Sequence, residues 1–129
     1  MKNRVFIIFL LLVVFPAFGF CQKAYEAGYY KGSTFGMTLK FKLADGYIGA
    51  CEIISKDKKT NKKSRFLPEE GAVGEDKKLK FYHYSAVGKK FDDYFILEGM
   101  EEAYGSLPAE IRGKYYLKGV GYEVRLSKL

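Results

Sequence analysis

Across residues 35–43 every second side chain is large and apolar. Phe35, Met37, Leu39, Phe41 and Leu43 alternate with Gly36, Thr38, Lys40 and Lys42. A repeat of two belongs to a β-strand with one dry and one wet face, because successive side chains of an extended chain point to opposite sides. A helix would scatter the same apolar groups around its circumference. The alternation returns three times. Leu79, Phe81 and His83 alternate with Lys80, Tyr82 and Tyr84. Ile111, Gly113, Tyr115 and Leu117 alternate with Arg112, Lys114, Tyr116 and Lys118. Tyr122, Val124 and Leu126 alternate with Glu123, Arg125 and Ser127.

Between these runs lie less regular segments. Residues 24–32 read as a first strand, 47–56 as a third, a short stretch near Phe66 and Leu67 as a fourth, and 91–99 as a sixth. Asp45-Gly46, Gly71, Gly74, Gly119 and Gly121 supply turn signals. Residues 100–108 read as loop with at most one helical turn, and no segment carries a useful helical period. The expected fold is all-β: an antiparallel up-and-down meander of about eight strands in a small closed or nearly closed barrel, since closure removes exposed strand edges.

The N-terminus has a different logic. Lys2 and Arg4 precede an apolar run over residues 5–15, which Pro16 breaks before small residues. That layout predicts a secretory signal peptide over residues 1–21, too short for a comfortable membrane span, which needs about 20 apolar residues. Cleavage fits after Gly19 or after Cys21, and lipidation at Cys21 is a third route. The single domain then runs over residues 22–129. The leader carries two of the 22 basic residues and none of the 15 acidic ones, so the exported part is +5. Periplasmic or extracellular residence is expected, with membrane contact only through the leader or a lipid on Cys21. A basic exported protein meets lipid headgroups, acidic glycans or an acidic partner. Two cysteines, Cys21 and Cys51, provide no disulfide framework, so packing must hold the domain together.

The runs Tyr29-Tyr30-Lys31-Gly32, Gly36-Met37-Thr38-Leu39-Lys40-Phe41 and Asp45-Gly46-Tyr47-Ile48-Gly49 resemble small exported β-barrels of Gram-negative bacteria, broadly avidin-like or lipocalin-like in plan. The resemblance covers most of the exported part as a rhythm of strands and glycines. It implies a barrel and a binding module. It implies no named ligand: avidin-type pockets depend on tryptophan, which this chain lacks, and Gly28-Tyr29-Tyr30 stands where lipocalins carry Gly-x-Trp.

The alternation nominates an interior. Met37, Phe41, His83, Tyr115 and Tyr122 are the candidate lining of a ligand pocket. Glu52 joins them if Asp45-Gly46 is a two-residue hairpin loop, which turns Ile48, Ala50, Glu52 and Ile54 inward. If Ala44 joins the loop as a bulge, Tyr47, Gly49, Cys51 and Ile53 face in instead, because a one-residue slip flips every side chain. Residues 56–65 form the densest basic segment. Its Lys56, Lys58, Lys59, Lys62, Lys63 and Arg65 make either a patch for an anionic surface or a solvated hairpin tip.

His83 is the lone histidine, read as a structural group satisfied by a neighbour or as a pocket hydrogen-bonder. The adjacent pairs Asp92-Asp93 and Glu69-Glu70 point to opposite faces of a strand and so make no dyad. No nucleophile elbow, phosphate loop or metal-ligand spacing is present. The expectation is a non-enzymatic binding module with no cofactor and no metal. Its partner is a small apolar or amphipathic ligand inside the barrel or, alternatively, an envelope protein met by the surface of a filled barrel. Nucleic acid is not expected.

Overall fold

The computed structural model describes residues 26–129, where the alternating segments become eight strands. They are β1 (Glu26–Thr34), β2 (Met37–Asp45), β3 (Glu52–Asp57), β4 (Lys63–Pro68), β5 (Leu79–Tyr84), β6 (Lys90–Leu97), β7 (Glu110–Leu117) and β8 (Val120–Lys128). Each strand pairs antiparallel with the next, and β1 pairs with β8, closing the meander into a barrel. The fold is all-β, with one 3-10 turn at Ile48–Ala50 among the described residues. The expected signal peptide, Cys21 and the start of the expected first strand lie outside the described residues.

Four hairpins gather at one end of the barrel and the longer connections at the other. At the hairpin end, Phe35-Gly36 and Lys118-Gly119 are two-residue loops with positive φ at both positions, the geometry that matches the twist of paired strands. Phe35 therefore belongs to the turn, not to the alternating strand that begins at Met37. At the other end the barrel is capped. Ile48, Met100 and Leu107 pack onto the core, the Tyr104 N–H donates to Asp45 Oδ1 at 2.6 Å, and the Gly46 N–H donates to the Glu102 carbonyl at 3.1 Å.

The β2–β3 connection overturns both hairpin registers considered for Asp45-Gly46. A turn with Gly46 at φ +81° is followed by the 3-10 turn, so the chain re-enters the sheet only at Glu52, pairing Lys42 with Glu52 and Phe41 with Ile53. Cys51 and Ile53 face inward and Ile48 is buried, whereas Tyr47 is exposed. Glu52 faces out. Two consecutive tight turns consume the residues that a simple hairpin would have spent on pairing.

The barrel interior is filled. Tyr30, Phe41, Phe66, Phe81 and Phe95 are fully buried, and their rings interlock, with Phe81 edge-on to Phe41 at 5.7 Å and Phe95 edge-on to Phe66 at 4.6 Å. Eight strands enclose a space that side chains can fill, and here large rings do so. The Tyr30 hydroxyl reaches out of this apolar mass to donate to the Pro108 carbonyl at 2.6 Å.

Closure has a steric condition. At Gly32 a Cβ would stand 2.5 Å from the Arg125 carbonyl oxygen and 3.0 Å from Leu126, so only glycine lets β1 approach β8. Replacing Gly32 by Val is expected to cost about 1–3 kcal/mol, the usual range for overpacking. Urea denaturation measures this, with Gly71→Ala as the near-neutral control because nothing lies within 4 Å of Gly71. Equal midpoints for the two variants would mean that the seam tolerates a side chain at position 32.

Cys51 is the free thiol of the described core, and burial pushes its pKa from the ordinary 9.0 to about 11. A raised folded pKa gives stability that is fully present below the unfolded value and lost as the pH climbs from about 9 to about 11. Cys51→Ala should therefore lose less stability than the parent across that window. The native thiol should also resist Ellman's reagent until the protein unfolds.

Candidate functional site: an acidic, aromatic cup at the barrel mouth

With the loop end capped, the hairpin end is where polar chemistry penetrates the barrel. The device that builds it is an irregularity between β5 and β6. Tyr82 pairs with Tyr94, but Tyr84 pairs with Lys90, so Phe91, Asp92 and Asp93 all stand opposite the single His83. Bulges of this kind re-aim side chains, and this one brings two groups to one imidazole. Asp93 Oδ1 lies 2.8 Å from His83 Nδ1, and the Phe91 ring centroid lies 4.3 Å from that of His83. Phe66 stacks on the imidazole at 4.7 Å.

Tyr115, from β7, completes the cluster by donating its hydroxyl proton to Asp93 Oδ2 at 2.6 Å. Burial first, and then the hydrogen bond and charge of Asp93, push the Tyr115 pKa far above the usual phenol value. The phenol is therefore a fixed donor. An ionised carboxylate only accepts, so the two donors on Asp93 assign the proton of neutral His83 to Nδ1 and leave Nε2 as an acceptor. Three titratable groups from β5, β6 and β7 thus form one connected unit at the edge of the core.

A recess of about 170 Å³ opens beside this unit. Met37, Ser55, Asp57, Ser64, Phe66, Asp93 and Tyr115 line it, with Thr60 and Lys62 of the β3–β4 hairpin on its rim. Asp57 is committed to local structure: its Oδ1 accepts from the N–H groups of Lys59 and Thr60 at 2.8 and 3.0 Å, which hold its pKa below the usual carboxylate range. Phe35 lies next to Tyr115, its ring 6.3 Å from that residue and 4.5 Å from Tyr122. It does so at φ +42°, a conformation costing a bulky residue about 1–3 kcal/mol. A half-exposed ring contact returns only about 0.5–1.5 kcal/mol. Stability alone does not account for Phe35.

The sequence-nominated residues divide. Met37, His83, Tyr115 and Tyr122 gather at the mouth. Phe41 lies deep in the filled core and takes no part in this recess. Glu52 is corrected to the outer wall: it pairs across from Lys42 and accepts from Arg65 Nε at 2.6 Å, because the double turn before β3 shifts its facing. The basic segment is the β3–β4 hairpin. Lys58 and Lys59 are at its tip, Lys56 and Lys63 form its last cross-strand pair, Lys62 edges the recess, and Arg65 is taken by Glu52. Asp93 was missed. Phe95 and Leu97 are inward, and counting back by two reaches Asp93; the run Tyr94-Phe95-Ile96-Leu97 obscured that count because both faces of β6 carry apolar or aromatic groups there. Ser55 and Ser64, a cross-strand pair, were also unmarked.

Among the described residues no group of three or more His, Cys, Asp or Glu side chains is placed to hold a metal ion. Comparison with protein-family models, with curated proteins and with solved structures returned no match.

The cluster predicts a measurable tautomer. In tag-free protein, long-range proton–nitrogen NMR of the lone histidine should show neutral His83 protonated at Nδ1. Asp93→Ala should release it to the Nε2–H form and destabilise the fold by roughly 1.5–3 kcal/mol, the range for losing a charged hydrogen-bond partner. Tyr115→Phe should cost less and leave the tautomer as it is. An unchanged tautomer in Asp93→Ala would contradict the assigned network.

Proposed function

We propose that the protein is an exported, non-enzymatic binding module that takes a small amphipathic ligand at the mouth of its barrel. The observation that carries the reading is Asp93: a carboxylate oriented by His83 and Tyr115 that lines a small recess beside the aromatic core. Binding sites orient a ligand through a few placed polar groups, and this recess is mainly polar, with Met37, Phe66 and Tyr115 as its apolar and aromatic surface. The polar groups lining it are mostly oxygens able to accept, namely the carboxylates of Asp93 and Asp57 and the hydroxyls of Ser55, Ser64 and Thr60, with Lys62 the one cation on the rim. They suit a head group rich in donors, an amine or a hydroxyl. Met37 sits in the recess itself, and Phe35 and Tyr122 beside it offer apolar surface to a short tail. Export rests on the N-terminal pattern, and the avidin-like or lipocalin-like resemblance supports the reading only at the level of a barrel.

The packed interior limits what the ligand can be. With five large rings filling the centre, the ligand sits on the core rather than inside it, and about 170 Å³ admits only a small molecule or one end of a longer one. Titration of labelled protein with a series of primary alkylamines and matched alcohols tests this. Chemical-shift changes should concentrate at His83, Asp93, Tyr115 and Met37, and binding should weaken at least about tenfold in Asp93→Asn. Shifts scattered over the surface, or equal affinity for the variant, would sink the proposal.

The filled core also favours a second reading, in which the surface meets an envelope partner protein. On the outer wall Tyr82, Tyr94 and Tyr116 form a cross-strand row, but Lys80 already sits over the rings of Tyr82 and Tyr94, and Lys90 over Tyr82 at 3.5 Å. The basic hairpin is the freer surface. Charge reversal of Lys58, Lys59 and Lys63 should abolish partner capture if this second reading holds, and leave amine binding at the mouth in place.

A further inference from the structure

The two ends of the barrel differ in charge as well as in shape. At the hairpin end Lys58 and Lys59 project from β3–β4, Lys89 from β5–β6 and Lys118 from β7–β8, all exposed, while Lys62 edges the recess. Of the acids there, Asp57 caps its own hairpin and Asp93 turns inward to His83 and Tyr115, which leaves Asp92 as the exposed one. The capped end is the reverse. Its connections carry Glu69, Glu70, Glu75 and Asp76, then Glu98, Glu101 and Glu102, against only Lys77 and Lys78. The barrel axis is therefore also an axis of charge.

The basic end exposes apolar tips as well. Val87, at the crest of β5–β6, is 92% exposed; Phe35 of β1–β2 and Val120 of β7–β8 are each 52% exposed; and Phe91 is 40% exposed. Three hairpins thus present an apolar side chain and the fourth presents lysines. A water-facing valine at a turn crest contributes nothing to packing. Separate apolar points at one end, interleaved with flexible cations, do not make the continuous complementary surface that a protein partner needs. Nor are they a track of stacking rings for a nucleic-acid strand. They match a fluid anionic interface, where apolar groups enter the headgroup boundary and lysine ammonium groups stay at phosphate level.

We propose that the hairpin end docks on the surface of an anionic phospholipid bilayer, with Phe35, Val87 and Val120 entering the headgroup region, the lysines binding phosphates, and the acidic end held away. The docking surface shares Phe35 and Lys62 with the border of the ligand site but uses none of Asp93, His83 and Tyr115. Both concern the same end, so docking would turn the cup toward the membrane.

The test uses protein purified from the envelope, its N-terminus fixed by mass, with vesicles of phosphatidylcholine alone or with a third phosphatidylglycerol. The chain has no tryptophan, so Val87→Trp provides a single reporter. The expected result is sedimentation with the anionic vesicles at least tenfold tighter than with the neutral ones. Trp emission should shift to the blue and be quenched by brominated lipid. Joint reversal of Lys58, Lys59 and Lys62 to Glu should cost at least tenfold, Val87→Asp should weaken binding severalfold, and reversal of Lys77 and Lys78 at the acidic end should change little.

Far-ultraviolet circular dichroism checks that each variant keeps its strands. Equal binding to both vesicle types, as an apolar leader still attached would give, with all variants unchanged, would overturn the proposal. So would an unshifted Trp spectrum on vesicle-bound protein, or capture of an acidic protein without vesicle binding. Asp93→Asn should bind vesicles like the parent, which separates failure of docking from failure of the ligand site.

Discussion

The contact between the first and last strands is the constraint on which the rest of this structure depends. Tyr30 pairs with Lys128 and Lys31 with Ser127, the Leu129 N–H donates to the Tyr29 carbonyl at 2.9 Å, and the Thr34 hydroxyl donates to the Glu123 carbonyl at 3.1 Å. Without that contact the meander is a curled sheet with two open edges, each a row of unmet backbone donors and acceptors. With it, alternate side chains are sealed from water, and Tyr30, Phe41, Phe66, Phe81 and Phe95 have a place to go. The ladder at the seam is short, so its close approach at Gly32 carries unusual weight.

Closure also decides where chemistry can sit. A small barrel filled by rings has no room for a deep cavity, and the loop end is covered by Ile48, Met100 and Leu107. Polar groups can face inward only where the strands run out into hairpins, near water and with space to hydrogen-bond. His83, Asp93 and Tyr115 occupy that zone, and mutual bonding makes their partial burial tolerable. No buried side-chain nitrogen or oxygen among the described residues lacks a partner. Core and mouth are thus two regimes of one surface, dry below and hydrated above.

The strand plan was legible in the sequence because its signal is local: period-two alternation in 37–43, 79–84 and 111–126 is a direct imprint of one dry face. What was not legible was non-local or geometric. The route from Ala44 to Glu52 depends on a 3-10 turn and on backbone bonding to Glu102, some 56 residues from Gly46 in the chain, and no dipeptide rule reports that. Phe35 read as strand because its apolar side chain fits the alternation, whereas Gly36 beside it marks a turn of the kind normally opened by Asn or Asp. The candidate site was half visible. Met37, His83, Tyr115 and Tyr122 follow from facing alone, but a lone histidine gives no sign of its partners, and Asp93 reaches it only through an irregular stretch of sheet.

That irregularity has a consequence for how such a site arises. Because β6 spends two residues more than β5 between the same pairs, the strand keeps its facing on either side, with Tyr82 and Tyr94 outward below and Tyr84 and Lys90 matched above. A change of one residue would have turned the remainder of the strand inside out. A change of two is silent to everything except the loop of chain that carries it. The mouth of this barrel can therefore gain, lose or exchange its acid by dipeptide insertion and deletion while the architecture beneath goes on unaltered, which makes recognition here separable, in evolutionary terms, from folding.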